Sequence, residues 1–306
     1  MIQTPMDVLR EFPVRKTWRQ KTRFLEAVQS YGEQLGYQVK VESGSKNIRN
    51  MVLGDPETAR FLITAHYDTP AMLWCPNLTM PCNFFLNALC QILNFLVLML
   101  PAFAVGGAAL YVTEKPLYGL LALLAAVLGT IFLMIWGIPN PRNANGNSSG
   151  VIALLEIAAS MPQNLRNRVC FVLFDKEQVN LAGSAAYRRR HPEAVKLQTV
   201  MSLNCVGDGD TIMFFPNKAM AEDINLLCLE RACGDKIVKI HRKGWASCVS
   251  DHVGFHRGVG VTALRRGKLG YRLSRTRTIR DKNLEYTNVN ILRACLITYI
   301  GSHAAE

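Results

Sequence analysis

The chain has 306 residues, 49% of them hydrophobic and 19% charged, with a formal net charge of +12 from 35 basic and 23 acidic side chains. That composition excludes a disordered tail, a collagen-like repeat and a small disulfide scaffold. Nine cysteines without close Cys-x-x-Cys pairs point to reduced thiols in a reducing compartment. The excess of cations points to an anionic surface nearby, lipid or nucleic acid.

Met1–Lys21 is mixed polar and basic with no apolar h-region, so no signal peptide is expected. Thr17–Tyr37 reads as an amphipathic helix with Phe24, Leu25, Val28, Tyr31 and Leu35 on one face. Short strand candidates follow at Tyr37–Val41, Asn50–Leu53 and Arg60–Ala65. From Thr69 to Thr113, and again from Pro116 to Pro141, there is no Asp, Glu, Lys or Arg. Within these stretches Phe84–Val112 and Leu117–Ile138 each exceed the roughly 20 residues a helix needs to cross hydrocarbon. The polar turn Thr113–Pro116 joins them, which predicts a transmembrane hairpin over 83–139; a buried hairpin inside a soluble domain is the alternative. Tyr111 and Trp136 stand near the ends, where interfacial aromatics collect.

A hairpin leaves both flanks on one side of the bilayer. Arg10, Arg15, Lys16, Arg19, Lys21 and Arg23 precede it, and Arg142, Arg166 and Arg168 follow it. The positive-inside tendency therefore places both flanks in the cytoplasm, as parts of a multi-pass membrane protein.

Beyond the hairpin, helices are predicted over Ser149–Met161, Leu181–Arg190, Ala219–Ala232 and Thr287–Ser302. Strands are predicted over Arg168–Phe174, Val200–Val206, Thr211–Phe215, Ile237–His241 and Gly260–Leu264. Strands alternating with helices give an α/β fold with a largely parallel sheet covered on both faces. Residues 1–82 and 140–306 are then two parts of one domain. The hairpin enters at a strand-to-helix junction, where active sites of such folds lie.

Three short motifs could carry chemistry. His66 and Asp68 follow the strand Arg60–Ala65 and share a face in extended chain, so Asp68 could orient the imidazole for a metal; an ordinary buried histidine fits equally. Glu177, in Phe174-Asp175-Lys176-Glu177-Gln178, follows a buried strand and could be a general base or simply a helix-start charge. Ser250-Asp251-His252 reads as a helix start capped by Ser250.

Taken in order, Thr64-Ala65-His66-Tyr67-Asp68, Asn147-Ser148-Ser149-Gly150, Phe174–Ser184 and Ser250–Phe255 resemble the zinc-dependent aminopeptidases of metallopeptidase family twenty-eight, relatives of glutaminyl cyclase. The resemblance covers nearly all of the chain outside the hairpin and implies a mixed sheet sandwiched by helices. It also implies two zincs in active members, with a Glu activating the bridging water. Carried over residue by residue, His66 matches the first metal ligand, Asp68 its orienting partner and Glu177 the base. The remaining ligand positions are occupied by Gly146, Gln178, Asn204 and Arg277. Between Glu114 and Asp175 the only acid is Glu156, and after His256 the only histidine is His303. No cofactor is therefore expected, although zinc serves the active relatives; a different metal site using Asp208, Asp210, His252 or His256 is the alternative.

Arg188–Arg190, Arg265, Arg266, Arg272, Arg275, Arg277 and Arg280 make the second half strongly basic. No nucleic-acid-binding signature accompanies them, so anionic lipid headgroups are the expected partner rather than nucleic acid. The expectation from sequence is a membrane-anchored pseudoenzyme that binds a peptide or protein in the former active-site cleft. An active metallo-aminopeptidase with a remodelled site and a structural membrane scaffold are the alternatives. Arg277 is expected to neutralise Asp68 and Glu177 in place of the metals; a drifted final segment with Arg277 facing solvent is the alternative.

Overall fold

The computed structural model describes residues 2–75, 77–242, 250–273 and 275–303. Its strands are β1 (Val39–Gly44), β2 (Ile48–Leu53), β3 (Phe61–His66), β4 (Val169–Phe174), β5 (Thr199–Leu203), β6 (Thr211–Pro216), β7 (Arg231–Cys233), β8 (Lys236–Ile240), β9 (Arg257–Gly267) and β10 (Gly270–Arg272). Its helices are α1 (Asp7–Glu11), α2 (Trp18–Gln34), α3 (Phe84–Thr113), α4 (Pro116–Trp136), α5 (Ser149–Ser160), α6 (Ala182–Arg190), α7 (Ala194–Leu197), α8 (Ile224–Leu227) and α9 (Tyr286–Ser302).

The strands form one mixed sheet in the order β1-β2-β4-β3-β5-β9-β6-β8-β7, with β10 paired to β9. Its centre, β4-β3-β5-β9, is parallel. β1 and β2 flank that centre on one side and β6 on the other, all by antiparallel pairing. Both faces of the centre are covered, so β3, β4 and β5 are buried at every position rather than at alternate ones. Along β4, Val169, Phe171 and Leu173 join the core under α2, α5 and α9. Cys170, Val172 and Phe174 point the other way, to Tyr187 of α6 and Phe255.

α2 begins with a capping box. Gln20 N–H donates to the Thr17 hydroxyl, and Thr17 N–H donates to the Gln20 side-chain oxygen. The expected continuous helix over Ala219–Ala232 is not formed. Asp223 caps only the single turn α8, and the chain then turns into β7, whose residues pair with β8. Edge pairing with β8 outweighs the helical periodicity there.

α3 and α4 enter between β3 and α5 as an antiparallel pair, both long and apolar enough to cross a membrane. They are not core helices. Only 22% of the most apolar window of α3 and 6% of that of α4 is buried. The two backbones touch at Gly106 and Gly119. A Cβ on Gly106 would lie 2.7 Å from Leu123 Cβ, and one on Gly119 2.8 Å from Leu110 Cβ, so only glycine allows this crossing.

α3 is nine residues longer than α4, and its polar residues account for the excess. Asn87 accepts from Met80 N–H at 2.9 Å, and Asn94 donates to Leu78 O at 2.9 Å. These bonds tie the first three turns of α3 to the segment before it, and Leu73 and Cys75 pack on Leu98 and Met99.

Candidate active-site cluster

β4, β3 and β5 are parallel neighbours, so their C-terminal ends meet. His66 ends β3, Asp175–Glu177 follow β4, and Asn204 follows β5. This topology alone gathers three of the sequence-predicted positions. His66 Nε2 lies 3.1 Å from Glu177 Oε2, and His66 Nδ1 lies 3.7 Å from Asp68 Oδ1. Asp68 also accepts the Glu177 backbone N–H at 3.1 Å. Asn204 donates to Glu177 Oε1 at 3.0 Å, and Gln178 donates to Glu177 Oε2 at 3.1 Å.

The cluster is closed: the His66, Asp68 and Glu177 side chains are 3%, 9% and 9% exposed. Asp251 joins it at 1% exposure. Its Ser250 neighbour does not cap the short turn Asp251–Gly254; the Ser250 hydroxyl instead meets Ser202 Oγ at 2.9 Å. Sequence reasoning assigned Asp251 no role, although the Ser-Asp-His motif was its available signal.

Three carboxylates thus surround one imidazole. Burial works against the charged imidazole, but Glu177 and Asp68 outweigh it and raise the His66 pKa. Burial raises Glu177, offset only in part by His66, and raises Asp251, offset only in part by a hydrogen bond from Ser184 and by His66. Asp68, also buried, is held low by His66, Lys21 and the Glu177 amide. His66 is the cation in direct contact with the acids, and Lys21, Arg15 and Arg188 add to it from further off, yet Glu177 and Asp251 both stay raised above the usual carboxylate range.

Cations stand behind it. Lys21 pairs with Asp175. Arg15, fully buried, donates to Tyr67 O at 2.7 Å and Ser148 Oγ at 3.1 Å, and burial lowers its pKa to about 9. These two cations of the basic flank therefore serve the fold rather than a bilayer.

Arg277 does not form the expected direct pair with Asp68 or Glu177. Its guanidinium donates to Gln178 Oε1 at 3.2 Å, to Ala71 O at 3.4 Å and to Met134 O at 3.2 Å. Gln178 thus relays the contact to Glu177. The pull toward the α4 C-terminus has a physical cause, because the last carbonyls of a helix lack intrahelical donors. Lys16 does the same, donating to Ile135 O at 2.9 Å.

Gly146 sits in a turn closed by Asp281, whose carboxylate accepts the amides of Asn145 at 2.7 Å and Gly146 at 2.8 Å. A Cβ on Gly146 would lie 2.7 Å from Asp281 Oδ2 and 3.0 Å from Asn143 Oδ1, so a side chain has no room there.

The donor set does not suit a zinc pair. Among the described residues no group of three or more His, Cys, Asp or Glu side chains could hold a metal ion. The alternative set is not assembled either. Asp208 is taken by Arg265 and Arg275, and Asp210 by Thr211 and the Arg266 amide. His252 lies buried against Gly260, and His256 is exposed.

Residues 136–280 match the family described as Peptidase family M28. No curated protein matches. Among solved structures, the Macrostomum lignano glutaminyl cyclase has a TM-score of 0.60 at 11% identity, over 98% of this chain and 88% of that one. The Porphyromonas gingivalis glutaminyl cyclase has a TM-score of 0.56 at 14% identity, over 98% and 97%. A leucine aminopeptidase precursor from Bacteroides thetaiotaomicron VPI-5482 has a TM-score of 0.56 at 14% identity, over 97% and 95%. The chain thus has the fold of glutaminyl cyclases and aminopeptidases, and over residues 136–280 it carries the sequence pattern of Peptidase family M28.

Proposed function

We propose that this protein is a membrane-anchored, aminopeptidase-like pseudoenzyme. In this reading α3 and α4 cross the bilayer, the domain faces the cytoplasm, and a peptide or protein partner binds where active relatives hold their substrate. The observation that carries it is the direct approach of His66 Nε2 to Glu177 Oε2, at 3.1 Å. The one retained ligand nitrogen faces the matched base, and Gly146, Gln178, Asn204 and Arg277 stand at the other ligand positions. A lone imidazole does not complete a four-coordinate zinc site. Without a metal to lower the pKa of water, Glu177 has no hydroxide to deliver at neutral pH.

The test is an aminopeptidase and glutaminyl-cyclase assay on the full chain, with and without added zinc, together with alkaline extraction of the membranes that contain it. No turnover and retention in the membrane are expected. Turnover that requires zinc and is lost in His66→Ala would establish an active enzyme with a remodelled site instead. Release by alkaline extraction would remove the anchor from the reading.

A further inference from the structure

A second polar site lies at the base of the hairpin, outside the His66 cluster. A cavity of about 540 Å³ opens between the segment before α3 and the segment after β10. Its walls include Trp74, Leu78, Arg272, Arg275, Ile279 and Arg280, and among the described residues no acid lines it. Arg275 is shared with Asp208 at 3.8 Å. Arg272 and Arg280 are exposed, and no ion pair is formed by either among the described residues.

The hairpin fixes the height of this cavity. Leu73 and Cys75 pack on Leu98 and Met99 of α3, fifteen residues before its end at Thr113. At 1.5 Å per residue that is roughly 22 Å from the hairpin tip, and Arg277, in the same wall segment as Arg275 and Arg280, donates to Met134 O of α4, roughly 27 Å from the tip and near the far edge of the ~30 Å hydrocarbon thickness. Trp74 and Ile279 at the rim are 58% and 68% exposed, an amphipathic ring and an aliphatic chain of the kind found where headgroups meet acyl chains.

Resting on the membrane-anchored reading above, we propose that this cavity binds the phosphate headgroup of an anionic phospholipid. Arg272 and Arg280 would hold the phosphate, Arg275 would contribute from its shared position with Asp208, and Trp74 and Ile279 would flank the glycerol and first methylenes. Planar guanidinium groups suit phosphate oxygens, and a site free of acids leaves their charge available.

The test titrates the full chain in detergent micelles with short-chain phosphatidylglycerol, short-chain phosphatidylcholine and inorganic phosphate, read by tryptophan fluorescence. Phosphatidylglycerol should saturate one site, and the signal should vanish in Trp74→Phe. Arg272→Gln and Arg280→Gln should each weaken binding about fivefold, and together about 25-fold. Arg272→Lys with Arg280→Lys keeps the charge and should recover most of the affinity, which separates lost recognition from misfolding. Equal binding of phosphatidylcholine, or wild-type affinity in the double Gln variant, would overturn the site. Inorganic phosphate binding as tightly as the lipid would assign it to a soluble anion. The anchor reading fails separately, by release of the chain from membranes, whatever the titration gives.

Discussion

The His66 cluster, which Arg277 reaches through Gln178, and the cavity at the hairpin base, whose wall includes Arg275 and Arg280, handle charge in opposite ways. The inner cluster is closed and acid-rich, with Asp68, Glu177 and Asp251 around one imidazole. The outer cavity is open and lined by arginines. A nearly closed cluster adjusts its charge mainly by taking up protons, because its side chains keep little contact with solvent. An open one is balanced by whatever anion the surroundings offer. Arg277 stands between them, half-buried and with φ of 59°, and bonds Gln178 and the end of α4 rather than a carboxylate.

The comparison breaks most readily at His66. His66→Ala would leave three buried acids without their shared cation, and should cost about 3–5 kcal/mol in denaturant unfolding. Glu177→Gln, which removes one acid from an acid-rich cluster, should cost less than His66→Ala. The reverse order would mean that the cluster is not acid-rich.

Gly146→Asp, which adds a carboxylate where the resemblance places a metal ligand, should destabilise by about 3 kcal/mol by urea titration, since a buried unpaired charge would press on Asp281. A tolerated Gly146→Asp that also gains zinc affinity would mean that the turn can still open.

Asp281 sharpens the comparison through pH. Burial raises its pKa to about 6 against the usual 3.8, in spite of the Asn145 and Gly146 amides. A raised folded pKa means a contribution fully present below the unfolded value and lost as pH rises through the folded one. Stability should therefore fall by about 1–3 kcal/mol between about pH 4 and pH 6, relative to Asp281→Asn, and stay level above. A flat difference across that window would show that Asp281 titrates normally.

The smallest expected effect is that of Arg277→Ala, which loses three hydrogen bonds to groups that are not charged. About 1–2 kcal/mol in thermal unfolding is expected, with no change in the pH profile. A much larger loss with an altered profile would mean that Arg277 does neutralise the carboxylates.

Much of this was legible in the sequence. β4 is an unbroken apolar run and β3 and β5 are largely apolar, so all three were readable, and His66 and Glu177 fall at the ends of β3 and β4. The hairpin was readable from two charge-free runs. What escaped was set by contacts between distant segments. Asp251 enters the cluster because Ser250 bonds Ser202 across 48 residues rather than capping its own turn. Arg15 counted as a flank cation but is sealed under Tyr67 and Ser148. Arg277 found Met134, 143 residues away, because unpaired helix-end carbonyls attract cations. Charge patterns alone do not distinguish a cation that faces solvent from one that the fold buries.

The central claim is that the His66–Glu177 pair, with no further His, Cys, Asp or Glu set around it among the described residues that could hold a metal ion, does not bind zinc. Elemental analysis of the full chain, purified without chelators and dialysed against micromolar zinc, tests it most directly. Well under 0.1 equivalent of zinc per chain is predicted, about the background of weak surface binding, with no difference between the wild type and His66→Ala. One or two equivalents, lost in His66→Ala, would contradict it.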